Sequence, residues 1–162
     1  QFVSERNAPI MSEFPDHLNE ARGSYPYLAS LSSRWNDLDV FGHVNNAIYY
    51  EYFDSVINMY LVEEGGNDPK ADGTMQFCVE NRCRYYREMG FPERIEVGLR
   101  VAKLGKTSVC YDLALFTAGV NEPTALGYFV HVFVERTHRR PVPIPAPLRD
   151  ALARLLVDKN TH

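Results

Sequence analysis

Apolar residues change their spacing along the chain, and each change marks an element. Between Ala47 and Glu64 they fall at Ile48, Tyr49, Tyr52, Phe53, Val56, Ile57, Tyr60 and Leu61. Steps of three and four predict a helix. These side chains cover most of its circumference and leave a narrow polar stripe of Glu51, Asp54, Ser55 and Asn58. A helix this apolar is buried on several sides, as a single sheet wrapped around it would do. Asn45 or Asn46 serves as N-cap, and Gly65-Gly66 ends the helix. Glu63 and Glu64 fall at the negative end of its dipole and are expected in solvent.

Elsewhere short runs bounded by turn residues predict strands at Leu28–Trp35, Gln76–Tyr86, Ile95–Lys103, Thr107–Thr117 and Ala125–Glu135. Asn36–Gly42 reads as a turn, and Gly105-Lys106 as the tight turn of a hairpin. Arg140-Pro-Val-Pro-Ile-Pro cannot enter a central strand or a helix. A short helix is expected at Pro147–Val157, with Leu148, Leu152, Leu155 and Leu156 on one side. Antiparallel hairpins with one segregated long helix argue for an α+β fold. Residues 1–27, with Pro9, Pro15, Gly23 and Pro26, read as an N-terminal extension carrying a helical turn at Asp16–Arg22. Residues 28–162 then form one domain.

The length of 162 residues agrees with one domain. A net charge of −4 and a pI near 5.7 give no global field for nucleic acid. No window resembles a signal peptide or a bilayer span, so a soluble, cytoplasmic protein without membrane partners is expected. Cys78, Cys83 and Cys110 form no disulfide framework, which suits a reducing compartment; a Cys78–Cys83 bridge stays open.

The chemistry concentrates in Arg34-Trp-Asn-Asp-Leu-Asp-Val-Phe-Gly-His-Val-Asn-Asn-Ala-Ile-Tyr-Tyr. Asp37, Asp39, His43, Asn45 and Asn46 all lie at or just before the helix N-terminus, where free N–H groups and the dipole favour negative charge. An oxyanion would be stabilised there, and a nearby carboxylate would deprotonate water or attack directly. Taken singly, the same residues also serve as turn formers, caps and a hydrogen-bonded structural histidine. Asp37, Asp39 and His43 are too few ligands for a metal, and no metal is expected.

The string D-x-D-x-x-G-H-V-N-N-x-x-Y, formed by Asp37, Asp39, Gly42, His43, Val44, Asn45, Asn46 and Tyr49, resembles the signature of the 4-hydroxybenzoyl-CoA thioesterase-like hotdog family. It is most similar to the acyl-CoA thioesterase branch with HVNN, a motif that plant acyl-ACP thioesterases share in similar form. Leu104-Gly-Lys-Thr-Ser108 and the Pro-rich exit after Arg140 are similar to the family too, whereas Glu88-Met89 departs from its usual Arg/Pro ending. The resemblance implies a hotdog domain that hydrolyses a fatty or aromatic acyl-CoA. Asp39 would be the general base or nucleophile, the Asn46 backbone N–H the oxyanion donor, and His43 an orienting group. Asp37 would brace the turn. Gly42, Asn45, Tyr49 and Lys106 would meet the substrate. It further implies no cofactor, CoA being part of the substrate, and a homodimer or tetramer. The rival readings are a hotdog hydratase acting on enoyl or hydroxyacyl thioesters and a non-catalytic acyl-CoA binding module.

Overall fold

The computed structural model describes residues 20–71 and 73–157. In chain order its elements are β1 (Tyr27–Ser32), α1 (Asn46–Glu63), β2 (Thr74–Tyr85), β3 (Arg94–Leu104), β4 (Ser108–Thr117), β5 (Ala125–Glu135) and α2 (Ala146–Ala153). The strands make one antiparallel sheet in the order β1-β3-β4-β5-β2. This is the α+β hotdog arrangement, a sheet curled around one long helix.

Alternation along β3 and β4 sends Ile95, Val97, Leu99 and Val101, then Val109, Tyr111, Leu113 and Leu115, into one core with Phe53, Val56, Ile57 and Leu61 of α1. Each such side chain contributes roughly 1.5–3 kcal/mol when fully buried. Helix and sheet approach closely at Gly127, where a Cβ would lie 2.8 Å from the Phe53 ring. Only a residue without a side chain lets Phe53 reach the sheet there. His131 of β5 is also in this layer. Burial pushes its imidazole down to about 4, so it sits neutral against Tyr111 and Phe129, with Nδ1 3.0 Å from Gln76 Oε1.

The opposite face of the sheet carries a smaller cluster of Tyr25, Ala114, Phe116 and Leu126. Tyr25 donates to Glu20 at 2.7 Å, and Arg100 pairs with Glu20 at 2.9 Å while lying over the Tyr25 ring. Residues 20–25 are thus packed against the domain, with a 3-10 turn at Arg22–Ser24. Most of the helical turn expected at Asp16–Arg22 lies outside the described residues.

Most boundaries differ from the sequence reading by one or two residues, and two differ by more. The first strand stops at Ser32, not Trp35. Ser33 N–H donates to Glu93 O, and Arg34 and Asp37 close a 3-10 turn over Trp35–Asp37. Trp35 is 74% exposed, edge-on to Phe91 at 5.7 Å. The last helix starts one residue early and ends at Ala153, short of Val157. The segment beyond it peels onto β3, where Val101 N–H donates to Leu155 O and Val157 N–H to Val101 O. Backbone bonds to a sheet edge compete there with continued helix. All three cysteines are free. No helix among the described residues is long and apolar enough to cross a membrane.

Candidate active site at the start of α1

Asp37 is the anchor of the loop. Its carboxylate accepts from Arg34 N at 2.8 Å, Arg34 Nε at 2.9 Å and Tyr52 OH at 2.5 Å, while its carbonyl accepts from Asn45 N at 2.9 Å. The side chain is 1% exposed. Burial alone would raise its pKa, but the hydrogen bonds from Tyr52 and Arg34 outweigh it and hold the carboxyl below the usual aspartate range. A depressed folded-state pKa means the stabilisation is complete above the unfolded value, near 3.9, and is lost as pH falls through the lower folded value. Asp37→Asn is expected to cost about 3 kcal/mol at pH 7 and progressively less as pH falls through the folded-state value, read from urea midpoints across the acid range. A cost that does not fall anywhere in that range would refute the charge-based account.

Asp39 follows two residues later on a tight hairpin. Its N–H donates to His43 O at 2.8 Å, its carbonyl accepts from Gly42 N at 3.1 Å, and Leu38 bridges Val44. Gly42 closes the reversal with φ +82°, and nothing lies within 4 Å of its missing Cβ. The glycine is therefore required by backbone conformation rather than by crowding. Asp39 Oδ1 accepts from Phe41 N at 2.9 Å and His43 N at 3.4 Å. Its Oδ2 has no hydrogen-bond partner among the described residues, and the residue is half-buried. One oxygen fixes the carboxylate and the other is unspent.

Val44 N–H donates to Met89 O, which ties the hairpin to the chain entering β3. Asn45 is the N-cap: its Oδ1 accepts from Ala47 N at 2.9 Å. Asn46 is the first helical residue. Its carbonyl accepts from Tyr85 OH at 2.7 Å, and its N–H has no partner among the described residues. The unspent Asp39 oxygen lies on the hairpin closed by the Leu38–Val44 bridge, and this bare amide follows two residues beyond that bridge, at the start of α1. A helix N-terminus supplies partial positive charge there.

The remaining sequence-derived residues divide. His43 joins the loop, its Nε2 2.9 Å from Glu88 Oε2. Tyr49 is 2% exposed and sits in the core against Tyr52 and Tyr85, where burial raises its phenol pKa. Its ring supports the helix from within. Lys106 is exposed at the other end of the molecule. Ile144 N and Arg149 Nη2 donate to the Lys106 carbonyl, and α2 meets the far end of α1 through Tyr60 OH on Ala151 O at 2.5 Å. Lys106 thus lies with α2 towards the C-terminal end of α1, whereas Asp39 precedes its N-terminus, and α1 itself is eighteen residues, about 27 Å, long.

Glu88 is the site residue that sequence reasoning did not select. The only signal was its departure from the family's usual residue at that position. Its pairing with His43 is a long-range contact made by the β2–β3 connection.

Residues 33–152 match the thioesterase-like superfamily. The PA5185 protein of Pseudomonas aeruginosa is 51% identical, with a TM-score of 0.82 over 84% of this chain and 95% of that one. The P. aeruginosa PA2801 protein, a thioesterase candidate, is 26% identical, with a TM-score of 0.72 over 76% and 95%. Slr0204 of Synechocystis, a 1,4-dihydroxy-2-naphthoyl-CoA thioesterase, shares the fold at 17% identity and a TM-score of 0.72, over 78% and 95%. With its hotdog sheet and a carboxylate hairpin feeding the central helix, the chain belongs to the thioesterase-like superfamily and is a thioester hydrolase.

Proposed function

We propose that the chain hydrolyses fatty or aromatic acyl-CoA thioesters to the free acid and CoA, as the 4-hydroxybenzoyl-CoA thioesterase-like branch with HVNN does. The observation that carries this reading is the unspent Asp39 oxygen on the hairpin that leads, two residues after its closing bridge, into the unpartnered Asn46 N–H at the start of α1. Asp39 takes a proton from water, whose oxygen attacks the thioester carbonyl. The carbonyl oxygen gains negative charge against the Asn46 N–H and the positive end of α1. Collapse breaks the C–S bond, and the proton held by Asp39 passes to the thiolate. Direct attack by Asp39 through an anhydride uses the same groups. No cofactor enters either route.

His43, held by Glu88, orients the water or carbonyl. Glu88→Gln keeps the hydrogen bond and removes the charge. It is expected to lower kcat about tenfold with KM little changed, the mark of an interaction made mainly in the transition state. A rise in KM alone would place Glu88 in substrate binding instead.

The open edge of β2 supports a homodimer, with a tetramer as the larger assembly. That strand is the sheet's outer member, and Cys78, Val79, Glu80 and Asn81 at its middle are exposed. Unpaired strand edges are templates for another chain. Two-fold pairing centred there sets Tyr85 of one copy near Thr74 of the other. It also brings the far end of α1, with Lys106, alongside the second copy's Asp39 loop. This supports Lys106 as a contact for CoA phosphate. Free cysteines and the CoA substrate fit a cytoplasmic setting.

The test is thiol release from a panel running from acetyl- to palmitoyl-CoA plus aromatic acyl-CoAs, with a blank for the protein's own three cysteines. Release from none of them, alongside tight acyl-CoA binding, would replace the hydrolytic reading with a binding module. Loss of enoyl absorbance with no thiol release would favour a hydratase.

A further inference from the structure

A cleft of about 510 Å³ lies at the C-terminal end of α1, between the loop that follows the helix, the start of β2, the end of β5 and the first turn of α2. That volume suits a small organic ligand. Met75, Phe133 and Leu148 supply apolar wall. Asn58 and Gln76 add two amides, but these are already engaged. Gln76 Oε1 faces His131 Nδ1 at 3.0 Å, Gln76 Nε2 donates to Asn58 Oδ1 at 3.2 Å, and Asn58 Nδ2 donates to Asp54 O at 2.9 Å.

Arg136 is different. Its Nε is buried in the wall region without a hydrogen-bond partner, and a single Nη2 donates to Pro69 O at 3.3 Å. It has no ion-pair partner among the described residues. Among the described residues the one carboxylate in the wall, Asp68, turns Oδ1 to the Lys70 N–H at 2.9 Å. Burying Nε without a partner is costly, because that donor has lost water and gained nothing in exchange, while Nη2 stays at the exposed rim where an anion can reach it. The first turn of α2 lines the same cleft and adds partial positive charge.

From this juxtaposition we infer that the cleft binds a small carboxylate with an apolar body, its charge on Arg136 and its hydrocarbon against Met75, Phe133 and Leu148. A free carboxylic acid, the product class of the proposed reaction, has this chemistry. So does the carboxylate-ended acyl group of a substrate, delivered from a second copy's Asp39 loop. The latter source rests on the hydrolase reading above; the binding itself does not.

The probes are hexanoate and hexanol, measured by calorimetry and by amide shifts on the full chain and on Arg136→Gln. Hexanoate is expected to bind the native chain, to shift Phe133 and Leu148, and to bind Arg136→Gln at least tenfold more weakly. Hexanol is expected to bind both forms alike and weakly. Equal hexanoate affinity in the two forms would overturn the inference. So would hexanol matching hexanoate, shifts confined to the Asp39 loop, or inorganic phosphate outcompeting hexanoate. The shift map needs no variant, so a misfolded Arg136→Gln leaves the question decidable.

Thiol release from adipoyl-CoA against hexanoyl-CoA separates the sources. Selective loss of the adipoyl reaction in Arg136→Gln identifies the tail of the acyl group. An unchanged ratio with lost hexanoate binding identifies the free acid. A chain that releases no thiol at all refutes the hydrolase reading and leaves the binding result standing.

Discussion

Asp39→Asn is expected to lower kcat for thiol release by at least about a hundredfold while the protein stays folded. Asparagine has the same shape. Its Oδ1 can still accept from Phe41 N and His43 N, the bonds that hold the carboxylate in place. What it lacks is the negative charge needed to remove a proton from water or to attack a carbonyl. General base assistance is worth about 10²–10⁴ in rate, so the loss should far exceed anything a small shift of the loop would cause. The measurement is kcat on the best acyl-CoA of the panel, paired with a thermal melt. Near-normal turnover in a folded Asp39→Asn would remove this carboxylate from the mechanism.

The oxyanion donor can be tested through the backbone itself. Asn46 is the first helical position, and proline is well tolerated there because its N–H would have no intrahelical partner. Asn45, at φ −58° and ψ 136°, already has the conformation favoured before proline. Asn46→Pro therefore deletes one amide proton and retains the Asn45 cap on Ala47 and the Tyr85 bond to the residue-46 carbonyl. Losing one oxyanion donor costs about 10²–10³ in rate. The expected result is a fall in kcat of that size with an unchanged melting temperature and little change in KM. A folded Asn46→Pro with native kcat would mean that the oxyanion is held elsewhere. Because this variant leaves Asp39 untouched, it separates the two roles.

Much of the fold was legible in the spacing of apolar residues. The β4 and β5 segments end where their alternation ends, at Thr117 and Glu135. The all-round apolar helix is enclosed as its composition demanded, with Glu51, Asp54 and Ser55 exposed. Where local rules failed, a long-range bond had outbid them. Trp35 looked like a strand residue, yet Ser33 bonds Glu93 and Asp37 draws Arg34 into a turn. Leu155 and Leu156 looked helical, yet their segment bonds to Val101.

For the site, the sequence by itself determined the local part. Gly42 needed its left-handed backbone, Asn45 capped the helix, and Asp39 stood within a few residues of a helix N-terminus. Each of these depends on neighbours close in the chain. Only the tertiary structure decided that Glu88 meets His43, that Tyr49 is core, and that Lys106 packs with α2 at the opposite end of α1 from Asp39. It also decided that Arg136 borders a cleft with no ion-pair partner among the described residues. Those facts depend on which distant segments the sheet and helix bring together, and on which charges the packing leaves unmatched.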